Sequence, residues 1–358
     1  MKKIMLPFET KVPTQAYLDT AIPQSILLGH RFFDNVMAVH NIQVFFSAAT
    51  ERFTKRFRIT PTLDRAAWER MGLLKVEEIG KYNSMQRGDA GILLRDIMAM
   101  INDGNYIECR LDEYYVPGHP LYKHEHRDIH INILVGFDLE ARSFSIAGYG
   151  RTYEVSTITF DDFIHAFFSE PSSDYRSKET QYFWWKTLWS WTRMDLVETA
   201  NNWAENLNGI RIQLEAYLSG RAAPTGKLFE RSENDYGNEP GSWGIKTYKD
   251  WINYVDTAKQ EGRRLDLRAT RSLWEHKICM VRRLKTLSRN GIRIAASTNA
   301  ECLKLEGIAR GITLMAINFN RTLDATLGNN MINGLMNIDS IEVGLCHELN
   351  DQLSGIVS

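Results

Sequence analysis

The chain has few cysteines and no long apolar run. Its four cysteines lie far apart in 358 residues and form no CxxC pair, so neither a disulfide framework nor a zinc knuckle is expected and a reducing compartment fits. No uninterrupted apolar run approaches the roughly 20 residues of a membrane span. The apolar start ends at Pro7, which is too short for a signal peptide. These absences predict a cytoplasmic protein without a membrane partner.

The chain also lacks an excess of charge of either sign. Its 43 Lys and Arg residues balance 44 Asp and Glu residues, for a net charge of −1, so no electrostatic footprint for nucleic acid is present. The patterns GxxxxGKS, GxGxxG and GxSxG are absent, which disfavours a nucleotide enzyme and an ordinary α/β-hydrolase. The apolar fraction of 44% and the chain length indicate a globular protein with room for two domains.

Residues 104–149 carry the clearest strand signals and four of the nine histidines. Gly104 to Tyr115 alternates apolar and polar residues, which is typical of a half-buried strand and makes Cys109 an inert core thiol. We predict further strands over 130–137, 143–147 and 152–159, and a short helix from Thr159 to Phe168 with Thr159 or Asp161 as its cap. The front half therefore contains an antiparallel sheet.

The rest of the chain reads as mainly helical. Ile22 to Ile101 is predicted to be largely helical, and polar residues 169–180 form the best linker. The aromatic-rich run YFWWKTLWSW follows at 182–191, either as a buried strand or helix or as an aromatic wall for a ligand. Beyond it we expect a long loop at 220–242 and helices over 207–218, 248–258, 265–287, 298–327 and 338–353. The fold class is therefore α+β, with domains at 1–170 and 195–358 joined by an aromatic junction at 171–194.

Two segments carry a resemblance to a known family. The strand ending LDEYYVP at Leu111 to Pro117 and the block HINILVGFD at His130 to Asp138 resemble the amino-terminal domain of the butirosin biosynthesis protein H family, a papain-like acyltransferase group related to double-glycine leader peptidases. IPQSILLGHRFF from Ile22, the DEYY strand, and residues 266–268 and 275–277 are similar to proteins found beside nonribosomal peptide and polyketide synthetases. The resemblance implies a papain-like front domain with a central antiparallel sheet, followed by an all-helical domain.

The resemblance also implies roles for individual residues. His130 matches the family's catalytic base. No cysteine precedes Cys109, so the expected thiol nucleophile is missing, and Ser25 is the candidate that replaces it. Gly148 and Tyr149 stand where the orienting acid would come. Asp112 and Glu113 point to opposite faces at the end of their strand, so that either one of them faces His130 and orients it, or both belong to a solvated strand end. We place Tyr115 and Tyr149 among the substrate-binding residues.

A second cluster lies on the predicted helix of 265–287. Arg268, Glu275, His276 and Lys277 either form a solvated helix face or line a gap between the domains, where they would meet the phosphopantetheine arm or acidic surface of a carrier protein. His119, His124, His126 and His130 have no familiar metal-ligand spacing, so we expect a histidine-rich loop and neither a metal nor a cofactor of the protein's own.

The functional expectation is biosynthesis of a specialised metabolite. The protein would act on an acyl or peptidyl thioester held by a carrier protein and transfer it to a small-molecule acceptor, or condense or release it. The alternative is a noncatalytic pseudoenzyme that serves as a binding partner of an assembly line.

Overall fold

The structure is a computed structural model that describes residues 2–30, 33–47, 57–60, 68–69, 72–81, 85–124, 129–150, 152–169, 187–194, 203–222 and 241–357. It divides into two compact units. Unit 1 contains Met1–Val12, Ile22–Leu28 and Trp68–Leu196, and unit 2 contains Pro13–Ala21, Gly29–Ala67 and Val197–Ser358. The protein is thus a mixed helix and sheet fold of the α+β class, with long helices toward the carboxyl end.

The described residues form ten strands and nine α-helices. The strands are β1 (Lys3–Met5), β2 (Gln43–Phe46), β3 (Phe57–Thr60), β4 (Leu74–Lys81), β5 (Tyr106–Asp112), β6 (Ile129–Asp138), β7 (Ser143–Tyr149), β8 (Tyr153–Thr159), β9 (Thr187–Arg193) and β10 (Ser242–Trp243). The helices are α1 (Leu18–Leu27), α2 (Phe33–Val39), α3 (Ala90–Asn102), α4 (Phe160–Phe168), α5 (Trp203–Ser219), α6 (Thr247–Gln260), α7 (Leu267–Arg289), α8 (Ala296–Thr322) and α9 (Ala325–Val357).

Unit 1 is built on a seven-stranded antiparallel sheet. Its order is β4-β9-β5-β6-β7-β8, and β1 pairs with β6 outside this path. The apolar side of β5, with Ile107, Cys109 and Leu111, packs into a core shared with α3 and α4. The opposite side of β5 is also covered, since Glu108 is buried and accepts a hydrogen bond from the Trp191 indole at 2.9 Å. The strand is therefore buried on both faces, and the expectation of a half-buried strand is wrong.

The hairpin region of unit 1 follows the sequence pattern closely. β6, β7 and β8 lie where alternation predicts them, and α4 begins directly after β8. Thr159 is the helix cap, because its hydroxyl accepts a hydrogen bond from the Asp162 amide at 3.0 Å. The expected inert thiol of Cys109 is confirmed, because burial raises its pKa far above the ordinary value.

The prediction of mainly helical structure from Ile22 to Ile101 is wrong in part. Helices α1, α2 and α3 are present, but β2, β3 and β4 lie between them. β4 pairs with β9 across a register shift between Glu78 and Gly80, and such a bulge hides the two-residue alternation that marks a strand. The linker at 169–180 falls outside the described residues from 170 onward, as do 182–186 of the aromatic run and most of the loop at 220–242.

Unit 2 is mainly helical. Its core joins α2, β2 and the helices α5 to α9 around apolar residues such as Leu214, Trp251, Leu273 and Leu335. β10, β2 and β3 form a small antiparallel sheet in the same unit. The domain division thus differs from the sequence-based one, because residues 29–67 group with the carboxyl-terminal helices.

A buried hydrogen-bond layer explains why residues near 40 belong to unit 2. Arg283 of α7 is 1% exposed, and its guanidinium donates to the carbonyls of Ala38, His40 and Asn41 at 2.7 to 3.2 Å. The Gln213 amide donates to the Val39 carbonyl at 2.5 Å. These bonds satisfy the end of α2, whose last carbonyls have no partner within the helix.

Candidate functional site

The candidate site lies where β5 ends in a turn of 3₁₀ helix, Glu113–Tyr115. Asp112 caps this turn: one carboxylate oxygen accepts from the Tyr114 amide at 3.0 Å, and the other accepts from the Ser169 hydroxyl at 2.5 Å. Both oxygens of this buried side chain are therefore engaged in holding the turn. Asp112 shapes the site, and the carboxylate that reaches His130 is that of Glu113.

Glu113 receives two imidazoles on one oxygen. His130 Nδ1 lies 2.5 Å and His119 Nε2 lies 2.8 Å from Glu113 Oε1. The strand register explains the first contact. His130 of the neighbouring strand β6 lies opposite Leu111, and Leu111 precedes Glu113 by two residues. The second follows from the loop after Val116, which folds back so that the His119 amide bonds to the Val116 carbonyl.

The hydrogen bonds assign a tautomer to each ring. His119 Nδ1 accepts from the Leu121 amide at 3.2 Å, so its proton is on Nε2 and is donated to Glu113. His130 Nδ1 faces the same carboxylate and therefore carries its proton there, which makes Nε2 the basic nitrogen of His130. This is the arrangement in which a carboxylate orients a histidine base.

Exposure and charge favour the same interpretation. The His130 side chain is 54% exposed, whereas that of Glu113 is 6% exposed. Burial by itself would raise the pKa of Glu113, but the hydrogen bonds from His119 and His130 and the electrostatic attraction of these two side chains outweigh it, and the pKa lies below its ordinary value. A buried, ionised carboxylate thus holds a solvent-facing imidazole.

The other site residues predicted in the front half make contacts that do not involve Glu113 or His130. Ser25 is 1% exposed, near the end of α1, and its hydroxyl bonds to that of Tyr153 at 2.9 Å. Tyr149 packs on Tyr153 with ring centroids 5.7 Å apart. Tyr115 stacks on His165 of α4, with centroids 5.3 Å apart and planes inclined by 21°. Because Ser25 is buried, we do not assign it the role of nucleophile.

The second predicted cluster does not line an open gap. Glu275, His276 and Lys277 are at most 1% exposed and bond to residues of unit 2. Glu275 accepts from the amides of Gln15 and Ala16 at 2.8 and 3.0 Å. The expectation that these three side chains meet a carrier protein is wrong, because they are sealed in the interior.

Lys277 is the centre of a buried ionic network. Its ammonium pairs with Glu342 of α9 and donates to Tyr248 at 2.7 Å and to His276 Nδ1 at 3.0 Å. The Tyr217 and Tyr248 hydroxyls donate to the other oxygen of Glu342 at 2.8 and 2.5 Å. Burial, followed by the charge of Lys277, holds the pKa of His276 well below its ordinary value.

Arg268 is the one member of that cluster that reaches the surface. Its guanidinium bonds to Asp266, the cap of α7, and its side chain is 53% exposed. These contacts place it at the start of α7, where it reinforces the helix cap.

All four cysteines of the chain are buried. Burial is the main cause that raises the pKa of each thiol, to about 12 for Cys279 and Cys302. A neutral thiol in the interior is neither a nucleophile nor a metal ligand.

The described ranges show neither a cluster of metal ligands nor a membrane-spanning helix. Within them, no three His, Cys, Asp or Glu side chains are arranged to hold a metal ion. Glu113, His119 and His130 fit this finding, because both rings bond to a single oxygen instead of surrounding a common centre. None of the described helices combines the length and the apolar character needed to cross a bilayer. His126 lies outside the described residues.

The fold and the site thus define an α+β protein with a carboxylate-oriented histidine where two central strands of an antiparallel sheet, β5 and β6, end and begin. Neither the protein-family models nor the curated proteins provide a match to the chain.

Proposed function

We propose that the protein acts in specialised-metabolite biosynthesis on an acyl or peptidyl thioester carried by a carrier protein. The observation that carries the proposal is the contact of His130 Nδ1 with Glu113 at 2.5 Å, on an imidazole whose side chain is 54% exposed. A base in this arrangement has the proton-accepting nitrogen directed away from its carboxylate. The class of substrate rests on the resemblance of the LDEYYVP and HINILVGFD segments.

The burial of all four cysteines determines the form of the reaction. Without an enzyme thiol, the acceptor itself attacks the thioester carbonyl carbon, and His130 Nε2 removes the proton from its amine or hydroxyl. The carbon–sulfur bond then breaks, and the departing sulfur takes the proton back from His130. Glu113 stabilises the imidazolium that exists between these two transfers, and water as acceptor would release the chain instead.

The proposal also includes the type of domain, the partners and the cellular compartment. Unit 1 is a papain-like domain, an assignment supported by the histidine on a strand of an antiparallel sheet. The partners are an acyl or peptidyl carrier protein with its phosphopantetheine arm and a small-molecule acceptor. The protein works in the cytoplasm, where its four thiols stay reduced.

A thioester assay tests the reaction directly. Hexanoyl and phenylacetyl thioesters of N-acetylcysteamine are incubated with the full chain, with and without an added primary amine, and the released thiol is measured. We expect His130→Ala to lower the rate by about 100-fold or more, the usual contribution of a general base, and Glu113→Gln to lower it by about 10-fold. His124→Ala is the matched control, because His124 is an exposed histidine between β5 and β6. This replacement should leave the rate unchanged.

A noncatalytic role is the second candidate, and the same burial of every cysteine favours it. In that case none of the thioesters is cleaved above the rate in buffer, and His130→Ala has no effect. The protein should then still bind a phosphopantetheinylated carrier protein, which titration calorimetry with the apo carrier as control would measure. Turnover that survives in His130→Ala would contradict the proposed mechanism.

A further inference from the structure

Three basic side chains of unit 1 form what we call the basic cluster, which is built around the stacked rings of Tyr115 and His165: Arg87, Lys123 and His165. The His165 ring stacks on the Tyr115 ring. Arg87 Nη2 lies 2.9 Å from His165 Nδ1 and 2.5 Å from Nε2. The Lys123 ammonium is 5.1 Å from the centroid of the Tyr115 ring. None of these basic groups takes part in the proposed reaction.

The donors in this cluster outnumber the acceptors. A guanidinium has five N–H donors, and a neutral imidazole offers one acceptor nitrogen. Within the described ranges, Arg87 makes no ion pair with a carboxylate; its polar side-chain contact is the His165 ring. The acid in the cluster is Asp162, which lies 3.5 Å from the Lys123 ammonium and also accepts from the Thr159 hydroxyl at 3.1 Å. The Asp162 carboxylate is therefore shared between Lys123 and Thr159, and among the described residues no carboxylate pairs with Arg87.

The contact between Arg87 and His165 is favourable only while the imidazole is neutral. Protonation would place two cations less than 3 Å apart. An anion inserted between them removes this conflict, because it accepts from the guanidinium and from a protonated ring at the same time, in two charge-assisted hydrogen bonds. Tyr115 holds the plane of the ring while Lys123 adds a nearby charge.

We propose that the basic cluster binds the phosphate group of a phosphate ester. Arg87 is the principal ligand, since its planar fork matches two phosphate oxygens. His165 is the second donor, and Lys123 contributes a point charge in competition with Asp162. The exposure of Arg87 leaves room for a group larger than a free ion. This inference does not depend on the proposed reaction, because binding is measured without turnover.

A phosphate ester can come from two sources that the cluster would recognise by the same chemistry. A small metabolite carries a monoester with nearly two charges at neutral pH, whereas an arm attached to a carrier protein carries a diester with one. Methyl phosphate and dimethyl phosphate are probes for these two sources. Tighter binding of methyl phosphate identifies a small-molecule monoester as the ligand, whereas comparable binding of the two probes identifies a diester arm. Either result supports the site.

Nuclear magnetic resonance of the full chain with ¹⁵N-labelled histidine measures the binding at the residue concerned. Each probe is titrated at constant ionic strength against sodium chloride, and we expect a saturable shift of the His165 ring signals that chloride does not produce. Arg87→Gln should weaken this binding at least 10-fold. Arg95→Gln is the matched control, because Arg95 is an exposed arginine of α3 with a side-chain exposure of 73%, and it should bind as the native chain does.

Two results would overturn the proposal. One is that neither probe shifts the His165 signals more than chloride does. The other is that Arg87→Gln and Arg95→Gln bind the probes equally. Because Arg87 is exposed, its replacement should preserve the fold, and the circular dichroism spectrum of each variant verifies this before the titration.

Discussion

At the scale of single residues, Glu113 is the group on which the candidate site depends. Its carboxylate is buried, yet its pKa lies below the ordinary value of 4.5 because it receives His119 and His130. A group whose pKa is lowered by folding stabilises the folded state above the pKa of the unfolded chain. That contribution is lost as the pH falls through the folded pKa.

Replacing Glu113 with glutamine should therefore have a pH-dependent effect on stability. Near neutral pH we expect a loss of about 2 kcal/mol in the free energy of unfolding, since hydrogen bonds to a charged group are worth about 1.5–3 kcal/mol. The difference between Glu113→Gln and the native chain should shrink as the pH falls below about 4.5, the ordinary Glu value. Urea unfolding at several pH values measures it.

The control for this experiment is Glu140→Gln, since Glu140 is exposed in the turn between β6 and β7. It should unfold like the native chain at each pH. A loss of stability in Glu113→Gln that stays constant from neutral to acidic pH would show that the ionised carboxylate is not the stabilising form.

The buried pair of Lys277 and Glu342 gives a second prediction at this scale. Lys277→Met leaves Glu342 as an unpaired charge in the interior, so we expect a loss of about 3–5 kcal/mol. The double variant Lys277→Met, Glu342→Gln removes both charges but keeps an amide oxygen for the hydroxyls of Tyr217 and Tyr248. It should be more stable than Lys277→Met alone.

Chemical denaturation of the native chain, both single variants and the double variant completes this cycle. If the loss in the double variant equals the sum of the losses in the singles, the two charges are not coupled and the network is not held together by their pairing. The sequence predicts that Lys277 lies on a charged helix but does not predict that it lies in the core, because an amphipathic pattern does not reveal a cation paired across the interior.

At the scale of elements, the end of α8 is a point where backbone conformation decides stability. The apolar pattern of the sequence predicts one helix over 298–327. The structure ends α8 at Thr322, and Leu323 adopts a left-handed conformation with φ 55°. Its amide bonds to the Phe319 carbonyl at 2.6 Å. A left-handed residue at this place is usually glycine.

We expect Leu323→Gly to stabilise the protein by roughly 0.5–1 kcal/mol, because glycine adopts positive φ without steric cost. The Leu323 side chain is 43% exposed, so little packing is lost. Leu303→Gly, at an exposed position inside the same helix, should instead destabilise it by about 1 kcal/mol. Thermal unfolding of the two variants measures the contrast, and a destabilising effect of Leu323→Gly would contradict this account of the helix end.

At the scale of the whole molecule, sequence patterns predict those structural features that are determined by residues close together in the chain. The hairpin of β6 and β7, the Thr159 cap and the α5 stop at Gly220, where φ is +64°, all follow from nearby residues. The sequence also led to His130 and to two carboxylates as candidates for its partner. It did not predict His119 as the second donor to Glu113, because that contact depends on how the loop after Val116 folds back. The composition of unit 2 was missed for the same reason, since Arg283 and the carbonyls of 38–41 are some 240 residues apart.

The last prediction follows from that long-range layer. A fragment of residues 195–358 lacks α2 and β2, so Arg283 would lose its three carbonyl acceptors, Gln213 the Val39 carbonyl and His276 the Ile42 carbonyl. The fragment also loses the core side chains of α2 and β2, among them Val39, Val44 and Phe46, and burial of each such side chain contributes about 1.5–3 kcal/mol, which together approaches the 5–15 kcal/mol stability of a whole domain. The fragment should therefore show no cooperative thermal unfolding by circular dichroism, whereas the full chain does. In the full chain Arg283→Met removes three of these five hydrogen bonds but leaves α2 and β2 in place, so it should lower the unfolding temperature and keep the transition cooperative. A fragment that unfolds as sharply as the full chain would mean that residues 29–67 are not part of the folding unit.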